Sequence, residues 1–323
     1  MVGAIVRNAN SGLGNLSWDF YRHGLIQKCL IVPENNGEHE FPERFGNNTR
    51  VATGPRFSKR DLDWLLDGID SLLIFESPYQ PFVFRIAKEK GVKTFFMPMH
   101  EARIDFHGSN PDVVLCVSDL EMEKNYPGEK IRINVPVDTE KVKWRLREKA
   151  EVFVHNAGHG GIGGRNGTSE LVSCIPDIKS DLSIIIRSQG IHFDIEDDRV
   201  DFRYENVKNY WDLWKEGDVF VLPDKFSGLS LPLQEAFASG MLIITTDRHP
   251  LNKWLPTAPM IPVKKLGVWN NVEMALFDPE DIAKTLDAWY NKDIKEYSLL
   301  GKAFAEENSW KKLLPKYKEI LTK

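Results

Sequence analysis

Short apolar runs alternate along the chain with segments whose apolar positions recur at helical spacing, the pattern of a parallel-sheet α/β protein. In the first half the pattern predicts strands at Val2–Val6, Lys28–Val32, Ser71–Phe75, Lys93–Met97, Val113–Val117 and Ile131–Val135. Helices are expected between them at Leu16–His23, Lys59–Leu66 and Phe82–Glu89. In the second half the expected strands are Val152–His155, Leu182–Arg187, Val200–Arg203, Val219–Leu222, Leu242–Thr245 and Met260–Pro262. Thr168–Ile175, Tyr210–Lys215, Leu231–Ser239 and Pro279–Tyr290 read as helices.

Two such series predict two doubly wound domains, residues 1–145 and 146–302, with a charged linker over Pro136–Glu151. Trp310, Leu313, Leu314, Tyr317 and Leu321 fall on one helical stripe, so residues 303–323 are expected to pack back on the first domain. Pro315 is expected to interrupt that helix. Open α/β sheets bind ligands at the carboxyl ends of their strands, which directs attention to the loops after strands and to a cleft between the domains.

Composition narrows the class. The 323 residues are about twice the ~150 of a typical domain. With 42% hydrophobic and 28% charged residues, neither disorder nor a fibre is indicated. Apolar runs such as Val219–Leu222 and Met241–Ile244 fall far short of the ~18 to 20 residues that cross a bilayer. The start of the chain lacks a basic-then-apolar signal pattern, which implies a cytoplasmic protein. Cys29, Cys116 and Cys174 stand far apart, so a disulfide framework or zinc ribbon is not supported. The net charge of -5 arises in the second half, and Arg50, Arg56, Lys59 and Arg60 read as a solvated loop rather than a nucleic-acid face.

Three segments carry candidate chemistry. The first strand runs into a loop with Gly12 and Gly14, which offers backbone amides to an anion at a helix start, with Asn15 beside them. A third glycine of the dinucleotide fingerprint is missing, although Glu34 stands where a ribose-binding carboxylate would; a nicotinamide-dependent dehydrogenase is the alternative resting on this loop. The second segment, His155–Gly167, concentrates glycines, Gly163 and Gly164 among them, before Arg165. That is a side-chain-poor surface for a phosphate-bearing ligand, closed by a forked cation. His155 and His159 are four apart but not on a helix, so zinc is not expected.

The third segment runs from Asp218 to Asp247. A buried strand ends at Pro223, the loop Ser227-Gly228-Leu229-Ser230 presents amides, and a helix opens with Pro232 and is stopped by Gly240. Glu235, one turn into that helix, is placed to reach neighbouring hydroxyls.

This segment resembles the donor-binding signature of retaining GT-B glycosyltransferases, which take nucleotide sugars. In that family a strand and a proline precede a glutamate-glycine pair, and a second glutamate follows in the helix. Glu235 matches the second glutamate, and Ser227 stands in place of the first. Ile133–Glu140, Arg165, Phe277–Ala283 and Ser309-Trp310 agree with the family in order and spacing.

The resemblance implies an α/β chain of GT-B type, with two Rossmann-like domains facing across a cleft. It implies transfer from a nucleoside diphosphate sugar, of which a UDP-sugar is the first choice, to an acceptor hydroxyl with retention. Arg165 would neutralise the diphosphate, Gly228, Leu229 and Ser230 would share that load, and Glu235 would hold the ribose. His100 is a candidate for the sugar or reacting region, and Glu76, Glu101 and Arg103 for the acceptor side. No protein nucleophile, cofactor or metal ion is expected. A saccharide or lipid-linked glycan is the expected acceptor, with a phage-type modified DNA base as the alternative. Membrane contact by the terminal helix is not favoured. A nucleotide-sugar-binding scaffold without turnover is the rival reading, and it rests on Ser227.

Overall fold

The computed structural model describes the chain apart from residues 10, 34–40, 55, 101–103, 107, 159–161, 205–206, 256–258 and 323 and the side chain of residue 162. It divides into two compact units, Met1–Pro136 with Trp310–Lys323, and Val137–Ser309. The first boundary therefore lies ahead of the expected 145/146, and the last falls at Ser309/Trp310 rather than 302/303.

In the first unit the order is β1 (Val2–Val6), α1 (Gly12–Arg22), β2 (Lys28–Ile31), β3 (Thr49–Val51), α2 (Lys59–Leu66), β4 (Ser71–Glu76) and α3 (Val83–Glu89). β5 (Lys93–Pro98), β6 (Val113–Cys116), α4 (Asp119–Glu123) and β7 (Glu129–Arg132) follow. All seven strands pair in parallel in the order β3-β2-β1-β4-β5-β6-β7. The last strand lies upstream of the predicted Ile131–Val135, because pairing with β6 sets its register and its residues are only partly buried.

In the second unit β8 (Val152–Gly158), α5 (Thr168–Cys174), β9 (Ser183–Ser188), β10 (Val200–Arg203), β11 (Val219–Leu222), α6 (Leu231–Ala238) and β12 (Leu242–Thr246) come first. α7 (Leu251–Trp254), β13 (Met260–Ile261), the antiparallel hairpin β14 (Lys265–Trp269) and β15 (Val272–Leu276), α8 (Pro279–Trp289) and α9 (Lys295–Glu307) complete it. Its parallel sheet runs β10-β9-β8-β11-β12-β13. Strand residues alternate between two cores: Phe153, Ile184, Ile186 and Val221 face α5 and α8, while Val154, Ile185, Phe220 and Leu222 face α6. Burial on both faces is why these strands read as continuous apolar runs.

The expected linker is not a free tether. Val137, Val142, Arg147 and Ala150 are buried, and the Arg147 amide donates to Ser298 Oγ of α9 at 3.0 Å. The charged residues between them hid this packing from the pattern. The last helix, α10 (Trp310–Thr322), belongs to the first unit, where Tyr317 packs on Phe20 and donates to the Asn134 carbonyl at 2.9 Å. Pro315 lies inside α10 without ending it, since burial of Trp310, Leu313, Tyr317 and Leu321 outweighs the lost backbone bond.

Candidate functional site

In both parallel sheets the strand order reverses direction once, between β1 and β4 in the first and between β8 and β11 in the second. Loops leaving the carboxyl ends of such neighbours diverge to opposite faces and open a crevice for ligand. The second glycine-rich loop follows β8 and the Pro223–Ser230 loop follows β11, so both segments singled out in the second half arrive at one crevice.

Backbone contact locks these two loops together. Gly167 has φ 63°, and a Cβ there would lie 2.3 Å from the Pro223 carbonyl oxygen. The Lys225 amide donates to the Arg165 carbonyl at 2.9 Å. Gly163, also left-handed with φ 61°, lies under Trp269 of the hairpin, where a Cβ would come within 2.5 Å of the indole. Trp269 in turn stacks on Phe226, with centroids 5.2 Å apart. Arg165 is half-buried at the end of this turn, and the Lys225 ammonium lies against Gly164 while pairing with Glu170 at 2.6 Å.

Within the Pro223–Ser230 loop the carboxylate of Asp224 is wholly buried and gathers the chain around it. It accepts from the Ser227 amide at 2.7 Å and from the Ser227 hydroxyl, and it pairs with Arg248 at 2.5 Å. The hydroxyl and the amide of Ser227 thus both turn inward, onto Asp224. Among the described residues no hydrogen bond uses the amides of Gly228, Leu229 or Ser230. Ser230 adopts φ 57° at the start of α6, a conformation a side chain rarely takes. Glu235 accepts a 2.6 Å hydrogen bond from Tyr210, which opens a 3-10 helix, Tyr210–Trp214.

That 3-10 helix borders a cavity of about 830 Å3 between it and the ends of β9 and β10. Arg187, Arg203, Tyr204, Lys208 and Glu216 contribute to its lining, and Arg187 is buried against Asn156 and Glu216. The size suits a nucleoside or small ligand. Beneath the loops, His155 is structural: its Nδ1 lies 2.8 Å from the Val221 carbonyl and its Nε2 2.9 Å from Thr168 Oγ1. Burial lowers its pKa to about 4, so it is neutral. Nδ1 therefore donates and Nε2 accepts.

In the first unit, Glu76 ends β4 at φ 67° and is not a plain surface carboxylate. Tyr79 donates to it at 3.1 Å and Arg7, which follows β1, approaches to 3.8 Å. Tyr79 itself has φ 60°, and burial, followed by the Glu76 charge, raises its pKa. Bulky left-handed residues on both sides of one short turn are costly and cluster at functional sites.

The Gly14 amide donates to the Ser11 hydroxyl at 3.2 Å. A Cβ on Gly14 would meet the Ala9 carbonyl at 2.1 Å, so close packing explains that glycine. Gly12 is exposed at the first turn of α1, and Asn15 donates its amide to the Ser11 carbonyl. His100 is buried beyond β5, its carbonyl taken by Lys124 at 3.1 Å. Glu34, Glu101, Arg103 and His159 lie outside the described residues.

The three cysteines are free and buried, with burial pushing Cys116 up to about 11 and Cys174 up to about 12. Among the described residues no three His, Cys, Asp or Glu side chains gather as metal ligands, and no helix is long and apolar enough to cross a membrane.

Two parallel sheets of this strand order are the units of the GT-B glycosyltransferase fold, and solved structures of that fold match nearly the whole chain, which therefore carries it. HepE of Anabaena in complex with UDP and glucose is similar at TM-score 0.70 and 8% identity, over 99% of this chain and 99% of that one. Sucrose-phosphate synthase from Thermosynechococcus elongatus is similar at TM-score 0.64 and 12% identity, over 99% and 97%. The catalytic domain of starch synthase IV from Arabidopsis thaliana, bound to ADP and acarbose, is similar at TM-score 0.62 and 11% identity, over 99% and 98%. No family model and no curated protein matches the sequence.

Proposed function

We propose that the chain is a glycosyltransferase that moves a sugar from a nucleoside diphosphate, with a UDP-sugar as the first choice, to an acceptor hydroxyl. The observation that carries this reading is that the loop bearing Arg165 and the loop bearing Lys225 and the amides of Gly228 to Ser230, which have no hydrogen-bond partner among the described residues, are locked together at the crevice of the second sheet. Cations and preorganised amides are what a leaving diphosphate requires as its charge develops. Glu235, oriented by Tyr210, accepts from ribose hydroxyls, and the neighbouring cavity takes the base. UDP in HepE and ADP in starch synthase IV support a nucleotide donor here.

Transfer proceeds with retention and without a required metal ion. The bond from the anomeric carbon to the phosphate oxygen breaks as the acceptor oxygen bonds the same face, and the acceptor proton passes to the leaving phosphate. The first unit supplies acceptor-side groups, with Glu76 held by Arg7 and Tyr79 and with His100 as the second candidate. The acceptor is a saccharide or lipid-linked glycan, and the protein works in the cytoplasm. Strongly salt-dependent acceptor binding would instead mark a modified DNA base.

The test is a panel of nucleoside diphosphates in calorimetry, followed by turnover of the matching sugar nucleotide with glycan acceptors. The expected product keeps the donor's anomeric configuration by NMR, and chelator leaves the rate unchanged. An inverted product, or a rate abolished by chelator, overturns the mechanism. The inward-turned Ser227 favours one second reading, a scaffold that binds the nucleotide without transfer. It predicts calorimetric binding and no product with any acceptor.

A further inference from the structure

The Pro223–Ser230 loop is built around a buried ion pair. Arg248, two residues beyond β12, and Asp224 are both buried, with side-chain exposures of 7% and 1%. One Nη of Arg248 serves the Asp224 carboxylate and also the Ser227 carbonyl, while Nε reaches the Asp224 carbonyl at 3.4 Å. The other Nη donates to the carbonyl of His249 at 2.7 Å, which fixes the guanidinium to its own segment. Thr246 adds a hydroxyl to the Asp224 carbonyl. The oxygens of Asp224 and Ser227 are therefore drawn toward β12, and the Ser227 amide and hydroxyl follow the same carboxylate.

Burying two charges is not an efficient way to stabilise a fold, since apolar side chains of similar volume do as well. What the pair fixes is conformation. Every polar group of Asp224 and Ser227 is turned inward, and the next three amides, Gly228, Leu229 and Ser230, have no partner among the described residues.

We propose that Arg248 is the positioning residue of the donor loop: by holding Asp224 and Ser227 inward, it sets the amides of Gly228 to Ser230 as the receptor for the donor's diphosphate. The inference rests on the reading of this loop as a diphosphate site.

The decisive comparison is between the nucleoside diphosphate that binds best, taken from UDP, ADP and GDP, and its nucleoside, measured by calorimetry on the full chain. The double variant Asp224→Leu/Arg248→Met removes the pair without leaving a lone buried charge. It is expected to unfold near the wild-type temperature. Its diphosphate affinity is expected to fall at least about tenfold with nucleoside affinity unchanged, because the lost contacts are hydrogen bonds to a charged group. Arg248→Lys keeps a cation beside Asp224 but puts one nitrogen in place of the three that reach the Asp224, Ser227 and His249 oxygens, and it tests the same selective loss if the double variant does not fold. A folded variant with the wild-type ratio of the two affinities overturns the proposal. Absence of any diphosphate binding by the wild type removes the donor reading itself, and the proposal with it.

Discussion

The phenol of Tyr210 donates to Oε2 of Glu235 across 2.6 Å, from the first residue of a 3-10 helix to the first turns of α6. A carboxylate held in this way loses rotamer freedom, so its geometry is set before any ligand arrives.

Glu235→Ala is expected to weaken nucleotide binding by about 1 to 3 kcal/mol, the range for a hydrogen bond to a charged group. Tyr210→Phe is expected to cost less, about 0.5 to 1.5 kcal/mol. Because the phenol acts through the carboxylate, its effect should vanish in the Glu235→Ala background. Calorimetry of the four proteins in this cycle checks the coupling, and additive losses would separate the two residues.

Arg165→Ala should reduce affinity for a nucleoside diphosphate more than for the free nucleoside, since the guanidinium is assigned to the phosphates. Equal losses for both ligands would contradict that assignment.

Gly167→Ala tests the contact between the two loops. The added methyl meets the Pro223 carbonyl at a backbone angle that disfavours any side chain. A loss of about 1 to 3 kcal/mol in unfolding free energy is expected. Chemical denaturation measures it, and a neutral result would show that the loops separate freely.

His155 makes stability depend on pH. Its folded pKa of about 4 lies below the ordinary histidine value, so between the two the unfolded chain binds the extra proton. Its neutral-form stabilisation is intact above pH ~6.5 and declines as pH falls toward about 4, by about 3 kcal/mol in all. Denaturation of the wild type and of His155→Leu at pH 7 and pH 5 isolates this contribution. The variant should be weaker at pH 7 but flatter with pH, and parallel curves would count against it.

The central strands of both sheets were legible because burial on two faces writes them as unbroken apolar runs. β3 was not, being three half-buried residues at a sheet edge, and neither was the β14–β15 hairpin, whose Leu266 and Val268 are exposed. In the candidate site, the places of Arg165 after β8 and of Glu235 in α6 are readable from their offsets to glycines and strands. Tyr210, Lys225 and Arg248 were not, because their carboxylate partners lie 25, 55 and 24 residues away along the chain. Ser227 was readable as a position but not as a conformation, since Asp224 had no sequence mark as its partner.

The return of α10 has a consequence for synthesis. Tyr317 reaches Asn134, and the carbonyl of Leu321 accepts from the hydroxyl of Ser71 at 2.8 Å, yet every residue of the second unit is translated before either arrives. Of the two units, the one whose sheet is synthesised earlier is thus the one that closes later. Loss of α10 would injure a unit whose sheet was made long before it, leaving Phe20 and Ser71 waiting for partners that never emerge.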